Sequence, residues 1–208
     1  MEYGCIGKKL GHSFSKEIHE MLKSNPYTLT ELEPEELDAF FKAKNFSAIN
    51  VTIPYKETVI PYLSELDEGA RRIGAVNTIV NRCGRLCGYN TDFYGMHALL
   101  ARIGVSLADR KIAVLGTGGT SRTARAVAES LGAREILSVS RNARAGVITY
   151  DALYREHADV EYIINTTPVG MYPKVDECPV TEQVIKSCKF VFDVIYNPSV
   201  TKLMEIAQ

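Results

Sequence analysis

The feature that most constrains the fold is an apolar segment that ends in a cluster of glycines. Residues 111–116 are predicted to form a strand, Gly116, Gly118 and Gly119 crowd the turn after it, and residues 121–131 are predicted to form a helix. In such a turn, backbone N–H groups can approach a pyrophosphate at the N-terminus of the following helix. The third glycine of the usual fingerprint falls on Ser121, so the match is incomplete. The segment nevertheless predicts a dinucleotide-binding unit.

Further strands and helices alternate through the second half of the chain. Residues 135–141, 162–166 and 190–195 are near-continuous apolar runs, and a short fifth strand is possible at residues 147–149. Such runs are typical of a parallel sheet that is covered on both faces. A doubly wound nucleotide domain usually has about six strands. Because residues 201–208 are predicted to form a helix that stops in mid-course, we expect a Rossmann-type domain that is C-terminally incomplete.

The first half predicts a separate α/β domain. A short strand is expected near residues 3–7, a helical stretch from residue 62 to residue 73, and a strand at residues 75–80. Residues 92–103 are predicted to form the helix that connects the two domains. We therefore predict a substrate-binding and catalytic domain at residues 1–95 and a cofactor-binding domain at residues 96–208.

Composition and charge argue against a nucleic-acid-binding, membrane-spanning or secreted protein. The formal net charge of −1 gives no basic field for nucleic acid or anionic lipid. No apolar run approaches the roughly 20 residues of a membrane span, and the N-terminus carries Glu2 and no basic region, so no signal peptide is predicted. The five cysteines are scattered without a Cys-x-x-Cys pair, which favours thiols in a reducing cytoplasm and no metal site. A disulfide or metal between Cys83 and Cys87, across a predicted hairpin, is the alternative.

The end of the second cofactor-domain strand favours NADP over NAD. An NAD site places Asp or Glu there to hold the ribose 2′-hydroxyl, whereas this strand ends in Ser140 and Arg141, with Arg144 close behind. A guanidinium group suits a 2′-phosphate. The alternative is that both arginines only make a loop more soluble.

Two segments of the first half run from apolar into polar side chains and end on an ionisable group. Residues 48–56 end on Lys56, and residues 88–92 end on Asp92. A lysine and an aspartate supplied in this way can move a proton at a substrate hydroxyl or carbonyl. Proton chemistry in one half and a nicotinamide site in the other together predict a dehydrogenase.

Uncharged polar residues lie around this pair in the sequence and suit a polyhydroxylated substrate. They are Asn50, Thr52 and Asn77. Ser13 and Ser15 precede a predicted helix, where two hydroxyls and the first-turn N–H groups could bind a small anion. The alternative for the serines is a simple helix cap.

Seven segments carry a family resemblance, and they come in family order. They are His12-Ser13-Phe14-Ser15, Asn50-Val51-Thr52-Ile53-Pro54-Tyr55-Lys56, Gly74-Ala75-Val76-Asn77-Thr78, Gly88-Tyr89-Asn90-Thr91-Asp92, Gly116-Thr117-Gly118-Gly119, Asn165-Thr166-Thr167-Pro168-Val169-Gly170-Met171 and Asp193-Val194-Ile195-Tyr196-Asn197-Pro198. On these segments the chain resembles the shikimate dehydrogenase family over essentially its whole length.

The resemblance implies an NADP-dependent enzyme that reduces 3-dehydroshikimate to shikimate, in chorismate and aromatic amino-acid biosynthesis. It implies that Lys56 and Asp92 are the catalytic pair. The substrate contacts that it implies are Ser13, Ser15, Asn50, Thr52, Asn77, Asp92 and Tyr196. The cofactor contacts are Gly116, Gly118, Gly119, Ser140, Arg141, Arg144, Asn165, Thr166 and Met171.

The chain departs from the family pattern at a few positions. Lys16 and Glu20 stand where the family usually has Pro and Asn, and Asn142 follows Arg141 where the family has Thr. The family also continues into C-terminal helices that bring a glutamine to the substrate, and no residue of this chain matches it. We therefore expect an exposed apolar surface where those helices would pack.

Several alternatives stay open at the level of sequence. The substrate could be quinate as well as shikimate, with relaxed cofactor use, or the chain could be a non-catalytic NADP-binding regulator or an inactive fragment. Either a monomer or a homodimer is compatible with the sequence. Which of Lys56 and Asp92 carries the proton is also open, with Lys56 favoured as the donor.

Overall fold

The computed structural model describes residues 1–11, 13–22 and 25–208, so His12 of the first family segment lies outside the described residues. The chain divides into two compact units, Met1–Phe93 and Tyr94–Gln208. Both combine helices with a β-sheet, which confirms the predicted α/β class.

A mixed sheet of six strands forms the centre of the first unit. The strands are β1 (Tyr3–Gly7), β2 (Tyr27–Glu31), β3 (Ala48–Val51), β4 (Glu65–Leu66), β5 (Thr78–Arg82) and β6 (Arg85–Tyr89). Their order is β2-β1-β3-β5-β6-β4. β1 is parallel to β2 and β3, whereas β5 is antiparallel to both β3 and β6. The helices are α1 (Ser15–Met21), α2 (Leu37–Ala43) and α3 (Glu68–Ile73), with 3₁₀ turns at Pro34–Glu36 and Ile60–Tyr62.

The two faces of this sheet follow from the alternation of side chains along each strand. On one face Ile6, Ile49 and Val51 join the main buried core. On the other face Cys5 lies in a smaller cluster with Leu10 and Tyr27. Asn50 alternates with Ile49 and Val51, and it is therefore directed to the same face as the smaller cluster.

The second unit contains a parallel sheet of five strands among the described residues. Its strands are β7 (Lys111–Leu115), β8 (Glu135–Ser140), β9 (Val147–Thr149), β10 (Tyr162–Asn165) and β11 (Phe190–Asp193), in the order β11-β10-β7-β8-β9. The helices are α4 (Asp92–Arg102), α5 (Gly119–Ser130), α6 (Tyr150–Glu156), α7 (Glu182–Ser187) and α8 (Lys202–Ala207), of which α4 begins in the first unit. All four strand pairs are parallel, as predicted.

The structure corrects several sequence expectations about single elements. The prediction of a continuous helical stretch from residue 62 to residue 73 is wrong, because β4 lies within it and pairs with β6. Asp67 then accepts hydrogen bonds from the backbone N–H groups of Gly69 and Ala70 and begins α3. Asn77 precedes β5 rather than lying within it. The short strand at Val147–Thr149 is confirmed.

No helix in the described part of the chain is both long and apolar enough to span a membrane.

Candidate functional site

Lys56 and Asp92 lie in contact in the first unit, as their positions in the sequence predicted. Lys56 Nζ donates a hydrogen bond to Asp92 Oδ2. The Lys56 side chain is only 13% exposed and that of Asp92 is 34% exposed, so the pair is partly shielded from water. The preceding Tyr55 is buried and donates its hydroxyl to the carbonyl oxygen of Leu32 at 2.5 Å. The Lys56 carbonyl accepts the N–H of Val76 at 2.7 Å, and these contacts fix the turn that carries the lysine.

The second carboxylate oxygen of Asp92 is held by Asn77. Asn77 Nδ2 donates to Asp92 Oδ1 at 2.7 Å and to Thr91 Oγ1 at 2.9 Å. The orientation of this amide is defined, because Asn77 Oδ1 accepts the backbone N–H of Thr91 at 2.8 Å. Both Asp92 oxygens therefore accept a hydrogen bond, which holds the carboxylate in one orientation. Thr91 contributes to this arrangement although the sequence did not identify it.

Hydrogen bonds continue from Asn77 to Asn50 and Tyr27. Asn50 Nδ2 donates to Thr78 Oγ1 at 3.2 Å, and Thr78 Oγ1 donates to Asn77 Oδ1 at 3.1 Å. Asn50 Oδ1 accepts the hydroxyl of Tyr27 at 2.6 Å. Tyr27 and Thr78 were also missed from sequence. For Tyr27 the sequence did contain a signal of its strand, namely the alternating pattern Tyr-Thr-Leu-Thr at residues 27–30.

The remaining predicted substrate residues of the first unit are Ser13 and Ser15 at the start of α1 and Thr52 after β3. Ser13 and Ser15 are half-buried, and the N–H of Ser15 donates to Ser13 Oγ at 3.3 Å. Thr52 follows β3, and its N–H donates to the carbonyl of Ile6 at 3.0 Å. Their contacts with substrate stay predictions.

Burial raises the pKa of the Cys5 thiol to about 11, against a smaller opposing effect of the Lys56 charge. Cys5 therefore remains a neutral thiol at physiological pH, which does not suit a nucleophile. All five cysteines are free thiols, so the alternative of a disulfide between Cys83 and Cys87 is wrong.

The glycine turn of the second unit is crowded at Gly116 and open at Gly118. Gly116 has φ +103°, and a Cβ there would lie 2.8 Å from Thr166 Oγ1. A Cβ at Gly118 would meet no atom within 4 Å, so the backbone is open on that side. Ser121, at the position of the missing glycine, is buried and donates its hydroxyl to the carbonyl of Gly116 at 2.7 Å. The serine thereby holds the turn against the first turn of α5.

Asn165 is the last residue of β10, and Thr166 follows it beside the glycine turn. Thr166 Oγ1 donates to the carbonyl of Leu115 at 2.5 Å. Asn165 is fully buried, and its Nδ2 donates to Asp193 Oδ1 at 3.1 Å while its Oδ1 accepts the N–H of Thr167 at 3.0 Å. Burial raises the pKa of Asp193. The side chain of Asn165 thus positions neighbouring loops, and its contact with a nicotinamide stays a prediction.

The residues that are predicted to select NADP lie at the end of β8 and just after it. Ser140 is its last residue, and Arg141 and Arg144 are exposed beyond it. Burial raises the pKa of Tyr150, and the charge of Arg141 opposes this effect, which indicates that the guanidinium lies near that phenol. Met171 is exposed in the same unit, as is Tyr196. Their contacts with cofactor and substrate stay predictions.

Comparisons with known proteins point to one family. A family model for the shikimate dehydrogenase substrate binding domain matches residues 5–79. A shikimate dehydrogenase (NADP(+)) of Clostridium beijerinckii is 38% identical, with 99% of this chain aligned to 82% of that protein. The crystal structure of shikimate dehydrogenase 1 from Peptoclostridium difficile is 32% identical and superposes with a TM-score of 0.90, over 99% of this chain and 82% of that one.

A second solved structure contains ligands. It is shikimate 5-dehydrogenase from Thermus thermophilus in complex with NADP(H) and shikimate. It is 25% identical and has a TM-score of 0.83, and the match covers 100% of this chain and 83% of that chain.

Proposed function

The chain belongs to the shikimate dehydrogenase family, and from this membership we propose that it catalyses the reversible, NADP-dependent reduction of 3-dehydroshikimate to shikimate. The observation that carries the proposal is the partly buried pair of Lys56 and Asp92, with Asn77 on the second carboxylate oxygen. A lysine held in this way can transfer a proton at the oxygen of a substrate carbonyl or hydroxyl.

In the direction of reduction, Lys56 donates a proton to the oxygen of the substrate carbonyl. Bound NADPH supplies the hydride that the carbonyl carbon receives. Asp92 orients the substrate hydroxyl and holds the Lys56 ammonium in place. In the reverse direction Lys56 accepts the proton, since the same group must serve both directions of one step.

Substrate recognition combines the hydroxyls of Ser13 and Ser15 with the polar side chains around the catalytic pair. The two serines bind the substrate carboxylate. Its hydroxyls are bound by Asn50, Thr52, Asn77 and Asp92. Tyr196 is a further proposed substrate contact. Neutral amides and hydroxyls suit these groups, because they can donate and accept hydrogen bonds without adding charge.

NADP is held by the second unit. Gly116, Gly118 and Gly119 let the backbone approach the pyrophosphate, which the positive φ of Gly116 and the open side of Gly118 support. Ser140, Arg141 and Arg144 bind the 2′-phosphate, and Asn165, Thr166 and Met171 line the nicotinamide side.

The proposal includes a division of labour between residues 1–95, which bind substrate, and residues 96–208, which bind cofactor. We also propose a monomer or homodimer in the cytoplasm, without nucleic-acid partners, that serves aromatic amino-acid biosynthesis. The scattered free cysteines and the near-zero net charge support these statements.

The test is an assay of the purified chain for NADP reduction. Shikimate is compared with quinate, and NADP with NAD, at the same enzyme concentration. Turnover with shikimate and NADP is the expected result. Equal turnover with quinate would favour a quinate/shikimate dehydrogenase, and binding of NADP without turnover on either substrate would favour a non-catalytic protein.

A further inference from the structure

Tyr27 contacts Asn50 of the proposed substrate site, although no motif of the sequence identified it. It is the first residue of β2 and is only 6% exposed. Its hydroxyl donates to Asn50 Oδ1 at 2.6 Å. Burial raises the pKa of Tyr27 well above its usual range, so the phenol keeps its proton. A hydrogen bond with Ser15 acts in the opposite direction, as a donor to the phenolic oxygen does.

The ring of Tyr27 is held by packing that does not need the hydroxyl. It stacks on the ring of His19, with 4.0 Å between centroids and 10° between planes. Cys5 and Leu10 pack in the same buried cluster. A phenylalanine at this position would therefore keep the ring and its contacts while it removes only the hydroxyl.

A chain of hydrogen bonds leads from Tyr27 to the carboxylate of Asp92, and each residue in the chain donates to the next. Asn50 donates to Thr78 at 3.2 Å, Thr78 donates to Asn77 at 3.1 Å, and Asn77 donates to Asp92 at 2.7 Å. The direction of the first two bonds depends on which end of the Asn50 amide faces Tyr27. That amide can rotate between two nearly isosteric orientations. The phenolic proton on Asn50 Oδ1 at 2.6 Å supports the orientation in which Nδ2 faces Thr78, together with the backbone carbonyl of Asn77, which accepts from Nδ2 at a longer 3.4 Å.

We propose that Tyr27 is a positioning residue for substrate binding, whose hydroxyl holds the Asn50 amide in its binding orientation. This inference rests on the proposed function, since it concerns how the substrate site of that reaction is arranged. Tyr27 acts through Asn50 and does not take part in proton transfer.

The test is Tyr27→Phe, with steady-state kinetics for both substrates. Loss of one hydrogen bond between neutral groups should raise the KM for shikimate by about threefold to tenfold. The KM for NADP should stay the same, and kcat should fall less than the KM for shikimate rises. Tyr3→Phe is the matched control, because Tyr3 pairs with Tyr27 on the neighbouring strand and packs against the same cluster. It should leave both constants unchanged.

A double-mutant cycle separates positioning from a general structural role. In an Asn50→Ala background, Tyr27→Phe should raise the KM for shikimate by less than about twofold, because much of its effect passes through Asn50. A normal KM for shikimate in Tyr27→Phe would overturn the proposal. Equal losses for shikimate and NADP, with a lowered Tm, would overturn it as well.

Binding measurements distinguish a failure of the proposed function from a failure of this inference about Tyr27. If the wild-type chain binds shikimate without turnover, the same variants are compared by calorimetry, and Tyr27→Phe should raise the Kd for shikimate by the same factor. If shikimate does not bind to the wild-type chain at all, both proposals are wrong.

Discussion

Lys56 and Asp92 should behave as one catalytic unit, because the two side chains are in direct contact and serve a single proton transfer. Lys56→Ala should lower kcat by about 100-fold or more, the scale of general acid–base catalysis. Asp92→Asn should then add little in the double mutant, since groups that serve one step are not additive. The measurement is single-turnover kinetics with shikimate and NADP. Normal turnover in Lys56→Ala with only weaker shikimate binding would contradict the proton-transfer role.

Arg141 is the residue that we propose to decide the preference for NADP over NAD. Arg141→Ala should raise the KM for NADP by about tenfold to a hundredfold, because a charge-assisted contact contributes roughly 1.5–3 kcal/mol. The KM for NAD, which lacks the 2′-phosphate, should hardly change. Arg155→Ala is a suitable control, since this exposed arginine lies on α6 and donates to the carbonyl of Asp151. An equal loss for both cofactors would show that Arg141 does not bind the 2′-phosphate.

At the scale of elements, Glu161 links the amino ends of neighbouring strands in the second sheet. Its carboxylate contacts Arg110 before β7 at 3.0 Å, Lys189 before β11 at 2.7 Å and Arg134 before β8 at 3.8 Å. Lys189 and Arg110 lower the pKa of Glu161 to about 2, while burial opposes them. These ion pairs therefore hold together strands that are neighbours in the sheet. The charged residues are far apart in the sequence, so they form no local motif.

This depressed pKa predicts how the stability of the second unit depends on pH. In the unfolded chain a glutamate has a pKa of about 4.3. Its folded-state pKa is lower, so the stabilisation is present above about pH 4.3 and is lost as the pH falls toward 2. The Tm of the wild-type chain should accordingly exceed that of Glu161→Gln near neutral pH, and the difference should shrink between about pH 4.3 and pH 2.

The measurement is thermal unfolding from pH 7 to pH 2.5. Glu177→Gln is a matched control, since Glu177 forms an exposed pair with Lys174 at 3.0 Å. Such exposed pairs contribute little to stability. Parallel pH curves for the wild-type chain and Glu161→Gln would contradict the prediction.

At the scale of the whole molecule, the two compact units carry different sets of the proposed binding residues. Lys56 and Asp92 belong to Met1–Phe93, and the glycine turn belongs to Tyr94–Gln208. Each unit has its own buried core. We therefore expect the two ligands to act on different units when each is added alone.

Hydrogen exchange can test this expectation. Shikimate alone should slow amide exchange around residues 48–56 and 88–92, whereas NADP alone should slow exchange around residues 116–122 and 140–144. In Arg141→Ala the effect of NADP should weaken and the effect of shikimate should persist. Protection by shikimate that is confined to the second unit would contradict the division of labour.

Sequence patterns predicted the second sheet well, because four of its five strands, all but the short β9, were recognised as near-continuous apolar runs of local residues. They predicted the first sheet less well. β2 has only one fully buried hydrophobic residue, Tyr27, and β4 is two residues long, so neither has a strong period-two signal. β4 exists because β6 pairs with it, and a stretch that looks helical by its local pattern becomes a strand through that tertiary partner.

The amino-acid sequence by itself determined which groups are chemically available, namely Lys56, Asp92, the glycine turn and the arginines after β8. It did so because each lies at the end of a recognisable apolar segment. Only the tertiary structure decided how they are oriented. Tyr27, Asn50 and Thr78 come from β2, β3 and β5 of one sheet, in which β1 lies between β2 and β3. These strands are distant in the chain, and the hydrogen bonds between the three residues depend on strand order and register. No local pattern encodes such contacts, because they form only when the sheet brings its strands together.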